Sequence, residues 1–218
     1  MVTGVRPQTF KNLVLNAGAF LQDFAWQDYK TAEELEAAVI EALLDDSKTF
    51  GATLGGGSFQ LVPEVRQIEA DGKRYEFVGS TLFDSWTVKM TGTLKEVTPG
   101  NFERILPTAE KKTEGNVTTI RVRTSLDDED YIPTFVWVGD TSEGFMLIEL
   151  ENVINTTGAN MTFTDKGEAT LPFEFTAHKS DVTDLEYAPV TIVYFDKPEQ
   201  AAAAEQTEQT EQTEQSDE

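Results

Sequence analysis

The stretch Trp86-Thr-Val-Lys-Met-Thr-Gly-Thr-Leu-Lys95 alternates apolar residues with threonine and lysine over most of its length. Successive side chains of a β-strand point to opposite faces of the sheet, so this period of two places one face on a core and the other in water. The stretch therefore predicts a half-buried strand of an antiparallel sheet. On this pattern Trp86 is expected to pack in the core, as is Trp137 in a similar segment further along.

Shorter runs of β-branched and aromatic residues predict further strands. They lie at residues 74–79, 118–124, 134–138, 145–150, 171–177 and 190–195. Turn-forming sequences separate them, namely Asp71-Gly72, Glu114-Gly115-Asn116, Gly139-Asp140 and Lys166-Gly167. So many short strands beside few helices predict a mainly β fold, an antiparallel β-sandwich or barrel-like fold.

One clear helix is predicted at residues 31–47. Leu35, Ala38, Val39, Ala42 and Leu43 recur at helical spacing and form a single apolar stripe. Thr31, followed three residues later by Glu34, is a capping box that marks the N-terminus of this helix. A second, short helix is predicted at residues 99–106, with Thr98 as its N-cap and Pro99 at the first helical position.

The chain divides into one folded domain and a tail. Residues 1–198 are expected to form the β-sandwich domain, with an N-terminal arm at 1–12 and a Gly-rich, extended loop at 49–73. Residues 199–218 contain an alanine run and Glu-Gln-Thr repeats without aromatic or β-branched aliphatic residues. Such a segment buries too little apolar surface to offset the entropy of ordering, so it is expected to be a disordered acidic tail.

The formal charge of the 218-residue chain is −22, from 39 acidic and 17 basic residues. Seven of the acidic residues lie in the tail, so residues 1–198 carry −15. A surface of this sign repels phosphate, which argues against nucleic-acid binding through counterion release. The hydrophobic fraction of 39%, with 14 phenylalanines, is sufficient for a substantial core.

The residue inventory argues against several kinds of active site. The chain has no cysteine and one histidine, His178, which excludes disulfides, thiolate metal sites and sites with two imidazoles, and indicates a reducing compartment. The glycines of residues 51–58 lack the lysine of a phosphate-binding loop. Residues 127–130 are all acidic but lack the spacing of a calcium loop, so a solvated loop is expected. No catalytic, cofactor-binding or metal-binding residue is predicted, and the protein is not expected to be an enzyme.

No apolar run approaches the length of about 18 residues that a membrane-spanning helix needs. The apolar residues at 13–21 are interrupted by Asn16 and Gly18 and are not followed by a signal-peptide cleavage site. A soluble protein without membrane contact is therefore expected.

Several segments of the chain follow one another in a recognisable order. They are Val14-Leu-Asn-Ala-Gly-Ala-Phe20, Gly51-Ala-Thr-Leu-Gly-Gly-Gly-Ser-Phe59, Val62-Pro-Glu-Val-Arg66, Ile68-Glu-Ala-Asp-Gly72 with Gly79, Leu94-Lys-Glu-Val-Thr-Pro-Gly-Asn-Phe102, and Asp165-Lys-Gly-Glu-Ala-Thr-Leu-Pro-Phe-Glu-Phe-Thr-Ala-His178 with Ala188-Pro189. In this order they resemble the major tail tube protein of long, non-contractile-tailed bacteriophages. The similarity covers about residues 10 to 196 as an order of elements. The helix at 31–47 is longer than expected for that family, and the Glu-Gln-Thr tail departs from its pattern.

The resemblance implies a tail tube fold, a β-sandwich with one flanking helix, assembled as hexameric rings that stack into a hollow tube. Double-stranded DNA would pass through this tube as a transient passenger. The N-terminal arm, the Gly-rich loop and the loops between strands would join one ring to the next. Further partners implied are a tape measure protein, a tail terminator and distal tail or baseplate proteins. The protein would be assembled in the cytoplasm of the host bacterium and reside in the virion.

A channel that passes DNA without holding it should be acidic, which agrees with the charge of −15 on residues 1–198. Other functions remain open on the sequence. One is a monomeric β-sandwich module that binds carbohydrate on a cell surface, with Trp26, Trp86 or Trp137 as a stacking platform. The others are a capsid decoration protein, another tail component or a bacterial secretion-tube protein.

Overall fold

The computed structural model describes residues 13–14, 16–161, 163, 165, 167–184 and 186–196. The predicted N-terminal arm at 1–12 and the predicted tail at 199–218 lie outside the described residues. The strands are β1 (Ala19–Gln22), β2 (Thr53–Gln67), β3 (Thr81–Leu94), β4 (Ala109–Glu114), β5 (Val117–Val122), β6 (Ile132–Thr141), β7 (Gly144–Asn155), β8 (Leu171–Thr176) and β9 (Val190–Asp196). The helices are α1 (Ala32–Leu43) and α2 (Pro99–Ile105), with short 3-10 turns at Trp26–Asp28 and Asp128–Asp130.

Strand β7 joins two antiparallel halves of the sheet. Its first part pairs with β6 on one side and β9 on the other, and β1 extends this half beyond β6. Its last residues pair instead with β8, which continues to β3 and β2. Because the two halves face one another across a shared core, the fold is a mainly β antiparallel sandwich, as predicted.

The core between the two halves is dominated by phenylalanine. Five rings, all nearly or fully buried, stack on or abut one another: Phe20, Phe50, Phe135, Phe173 and Phe175. Gly92 makes room for one of them, because a Cβ at this position would lie 2.5 Å from the Phe173 ring. The glycine that interrupts the apolar alternation of β3 therefore has a packing cause.

Helix α1 covers the outer face of the sheet half formed by β1, β6, β7 and β9. Leu35 and Ala42 are buried against Val136, Leu147 and Phe195, which confirms the apolar stripe, although Leu43 at its end is exposed. Thr31 is the N-cap, as predicted, and its hydroxyl accepts from the Glu34 N–H at 3.3 Å. The second half of the capping box differs from the prediction, since the Glu34 carboxylate accepts from the Lys30 N–H.

Helix α2 is confirmed with Thr98 as N-cap and Pro99 in its first turn. Most predicted strands also form, and several are longer than expected. The strand predicted at 74–79 was wrong, because these residues belong to the turn between β2 and β3. The turn predicted at Gly139-Asp140 was also wrong: both residues lie in β6, and Gly139 is there because a Cβ would meet the Trp137 ring at 2.3 Å. The turn predicted at 166–167 includes Lys166, outside the described residues.

The predicted loop at 49–73 needs the largest correction. Residues Thr53–Gln67 form the longest strand of the structure, β2, which pairs with β3 along nearly its whole length. The glycines led to the wrong prediction because glycine alone favours a flexible backbone. Pairing with the strongly periodic β3 overrides that preference. Two of the glycines lie in an irregularity near the start of β2, where Gly55 and Gly56 have φ of +77° and +73°.

Candidate assembly surface

Strands β2 and β3 extend together beyond the sandwich. Strand β3 pairs with β8 only from Lys89 to Leu94, so its earlier residues have β2 as their sole neighbour among the described strands. We call residues 62–67 and 81–87 the ribbon, and residues 68–80 connect its two strands. Two-stranded ribbons are marginally stable in water without packing on one face.

A bulge gives the ribbon one continuous apolar face. Trp86 is opposite Pro63 and Phe83 is opposite Val65, so Asp84 is the extra residue on β3. In a regular strand Trp86 and Phe83, three residues apart, would point to opposite faces. The extra residue shifts the alternation by one and places both rings on the same face, with centroids 5.3 Å apart.

This apolar face is the outward continuation of the core face of the same two strands. Val88 and Met90 are buried in the sandwich, whereas beyond them Trp86, Phe83 and Val65 are 42%, 53% and 53% exposed. The change occurs where β8 ends, because no other described strand covers β3 from that point. The expectation that Trp86 packs in the core was therefore wrong. Contiguous exposed apolar surface of this kind is typical of sites that bind another macromolecule.

The opposite face of the ribbon has most of its polar groups paired. The Glu64 carboxylate accepts from the Thr87 hydroxyl at 2.7 Å and from the Ser85 hydroxyl at 3.1 Å. Both hydrogen bonds lower the pKa of the Glu64 carboxyl, and the bond from Thr87 has the larger effect. Arg66 Nε donates to Asp84 at 2.9 Å. Val62 also lies on this face and is 49% exposed, close to the exposure of Val65 on the apolar face.

Several strand edges lack a partner among the described residues, including the edge of β3 that faces away from β2 in the ribbon. Two further open edges are the outer edge of β2 and the outer edge of β9, whose pairing is with β7 alone. Ile192 and Tyr194 of β9 are exposed. Open edges present unpaired backbone N–H and C=O groups and can pair with a strand of another chain.

The three tryptophans differ in their hydrogen bonds. Trp137 packs against the core, as predicted, and its indole N–H donates to the Ala17 carbonyl at 2.9 Å. Trp26 donates its indole N–H to the buried Glu149 carboxylate. Trp86 has no acceptor for its indole N–H among the described residues. A half-exposed Trp with a free N–H is common at binding surfaces, which strengthens the ribbon as the candidate site.

The acidic residues 127–130 form a turn held by one cation. Arg123 pairs with both Asp127 and Asp130, and also lies 3.1 Å from a Glu110 oxygen. Hydrogen bonding to Asp127 is the largest cause of the raised pKa of the Arg123 guanidinium. Asp128 and Glu129 are exposed, as expected of a solvated loop. The part of the chain that the structure describes contains no group of three acidic, His or Cys residues placed to hold a metal.

A cleft of about 800 Å³ lies between α2 and the loop that follows α1. Its central cation, Arg104, donates to the backbone carbonyls of Asp46 and Thr49 and to the Asn101 side chain, and its guanidinium lies 5.1 Å from the Phe50 ring centroid. Burial lowers the pKa of this guanidinium. Arg104 is thus engaged in holding the loop to the core. The His178 ring packs edge-on against Tyr131, with the ring centroids 5.3 Å apart, and its buried Nδ1 has no hydrogen-bond partner among the described residues.

Gly51–Ser58 does not form a phosphate-binding loop, because residues 53–58 already belong to β2 and the next element is another strand, β3. No helix within the described ranges is long and apolar enough to cross a membrane. Comparison with known protein families and with curated proteins found no match to this chain.

Proposed function

We propose that this chain is a self-assembling structural protein, the major tail tube protein of a long, non-contractile-tailed bacteriophage. It polymerises as hexameric rings that stack into a tube through which double-stranded DNA leaves the virion. The observation that carries the proposal is the ribbon, whose apolar face with Trp86, Phe83 and Val65 is exposed on the single chain. This apolar face is exposed to water in an isolated subunit, whereas contact with a neighbouring copy would bury it.

The open edges of β2 and β9 support the same proposal. A ring is a closed, heterologous assembly in which one surface of each subunit meets a different surface of the next. Two separate open edges supply two such surfaces for contacts within a ring, and the protruding ribbon supplies a contact along the axis. The further partners follow from the resemblance: a tape measure protein, a tail terminator and distal tail or baseplate proteins. Under this proposal the protein is assembled in the host cytoplasm and resides in the virion.

Assembly is the first expected result. Purified protein at increasing concentration should form rings or tubes visible by negative-stain electron microscopy, because edge pairing and ribbon burial both require a second copy. Sedimentation velocity measured on the same samples should show loss of the monomer. A protein that stays monomeric at every concentration would contradict the proposal.

The charge of the channel is a second expected result. A tube reconstructed by cryo-electron microscopy should have a net acidic inner wall, because carboxylates repel the DNA phosphates and let the duplex slide. The measurement is the count of acidic and basic side chains that line the channel. A basic wall would contradict this part of the proposal, while leaving self-assembly intact.

One observation favours a second function. Trp86 and Phe83 form an exposed aromatic pair, which could serve as a stacking platform for a sugar ring in a carbohydrate-binding module. The two functions differ in oligomeric state. A strict monomer that is retained by insoluble polysaccharide, and loses retention when Trp86 is replaced by alanine, would favour carbohydrate binding.

A further inference from the structure

A groove of about 730 Å³ lies between the two sheet halves on the side where the sandwich is open. Phe59 and Met90, from β2 and β3, form one wall, and Trp137 and Met146, from β6 and β7, form the other. Buried Ile148 lies at its base. The groove is therefore an accessible extension of the apolar core, and its volume is within the range typical of binding pockets.

None of the described residues that line the groove is charged. This matters because two copies of a chain with a charge of −22 repel each other over most of their surface. Close approach of two copies costs least where the facing surfaces do not bring acidic groups together. The apolar face of the ribbon, with Pro63, Val65, Phe83 and Trp86, is a second uncharged surface of this kind. The two surfaces are matched in polarity and in charge.

The rim of the groove consists of exposed backbone. The pairing of β2 with β3 passes from Thr53 opposite Leu94 to Gly57 opposite Gly92, so residues 54–56 have no register partner. Gly55 and Gly56 have positive φ, and a Cβ at Gly55 would have nothing within 4 Å. At Gly55 and Gly56 the rim carries no side chain, which permits close approach of another backbone there.

The ribbon of the same chain cannot fill this groove. Phe59 and Met90 of the groove wall belong to β2 and β3, the same strands that form the ribbon further along. The two strands are paired without interruption from Phe59 opposite Met90 to Pro63 opposite Trp86. To place the ribbon in the groove of its own chain, both strands would have to fold back on themselves. An occupant with the chemistry of the ribbon must therefore come from another copy.

We infer that the apolar face of the ribbon of one copy binds in this groove of the next copy. Trp86 and Phe83 enter the groove, where the flexible thioethers of Met90 and Met146 adapt to the aromatic rings. Because ribbon and groove are different surfaces, the contact is heterologous and propagates along a stack of subunits. This inference rests on the self-assembly proposed above and identifies the receptor surface for the ribbon.

The absence of cysteine allows a direct test by crosslinking. Two single-cysteine variants, Val65→Cys on the ribbon and Val14→Cys at the groove, are mixed and treated with a short bismaleimide. A product containing one copy of each variant, identified by mass spectrometry, is expected because the bound ribbon brings the two thiols together. The matched control mixes Val14→Cys with Val62→Cys, which has similar exposure on the opposite face of the ribbon. The control should give about tenfold less mixed product, because its thiols are not held at a high effective concentration.

Electron microscopy of the same mixtures separates this inference from the proposed function. Tubes with equal crosslinking in test and control mixtures would overturn the groove contact and leave the tube proposal standing. Selective crosslinking without rings or tubes would support the groove contact and count against the tube. Absence of both assembly and selective crosslinking would overturn both. A Met146→Glu variant adds a second readout: it should remain folded by circular dichroism and lose the selective crosslink, because a carboxylate would be desolvated in the apolar groove.

Discussion

Replacing Trp86 with alanine should raise the concentration at which the protein assembles by about 30-fold, since truncating a central Trp of an interface costs roughly 2 kcal/mol. The reason is the position of this side chain. Trp86 is half exposed in the single chain, has no acceptor for its indole N–H within the described part of the chain and lies beside Phe83 on the apolar face of the ribbon. Its removal should weaken contacts between copies more than the fold of each copy. Sedimentation velocity over a dilution series measures the effect.

The matched control for Trp86→Ala is Val62→Ala, on the opposite face of the ribbon. This variant should assemble at nearly the concentration of the unmodified protein. Both variants should unfold in urea close to the unmodified protein when measured as monomers, because exposed side chains contribute little to stability. If both variants shift assembly equally, or neither does, the apolar face is not the contact surface.

Replacing Phe135 with alanine should lower the free energy of unfolding by about 4 kcal/mol, because it deletes a buried ring and leaves a cavity. Phe135 is fully buried, and its centroid lies 4.6 Å from that of Phe175 and 5.2 Å from that of Phe50. The rings cannot collapse into the vacated space without losing contacts with one another. Since domains are typically stable by only about 5–15 kcal/mol, this one change removes a large share.

Urea unfolding followed by tryptophan fluorescence measures the effect of Phe135→Ala. The matched control is Phe77→Ala, in the turn between β2 and β3, where the ring is 61% exposed. Phe77→Ala should change the free energy of unfolding by no more than about 0.5 kcal/mol. Equal effects of the two substitutions would show that the phenylalanine cluster is not the main source of stability.

Much of the fold could be predicted from local patterns. The apolar stripe and capping box of α1, the Thr98 cap of α2 and most strands follow from periodicity and from side-chain hydrogen bonding within a few residues. Strand β4, with the sequence Ala-Glu-Lys-Lys-Thr-Glu, could not be predicted, because it has no apolar alternation and forms through pairing with β5. The prediction of a loop at 49–73 was wrong for a related reason, because the pairing of a glycine-rich segment with a distant strand has no local signal in the sequence.

Only part of the candidate assembly surface could be predicted from the sequence. Pro63 within β2 is one signal that could have indicated an edge strand, because proline lacks the N–H that an inner strand must donate. The pairing of Trp86 with Phe83 on one face could not be predicted from alternation, since it depends on the bulge at Asp84. The resemblance to tail tube proteins implies assembly but does not indicate which side chains stay exposed.

The amino-acid sequence by itself determined the strand and helix periodicities, the acidic charge and the absence of cysteine, because these are properties of neighbouring residues or of composition. The tertiary structure alone decided which part of each strand is covered. Strand β3 keeps apolar residues on one face from Met90 to Phe83, yet Met90 is buried and Phe83 is exposed. The physical reason is that β8 ends beside Lys89, and burial depends on the neighbours that the whole chain brings together.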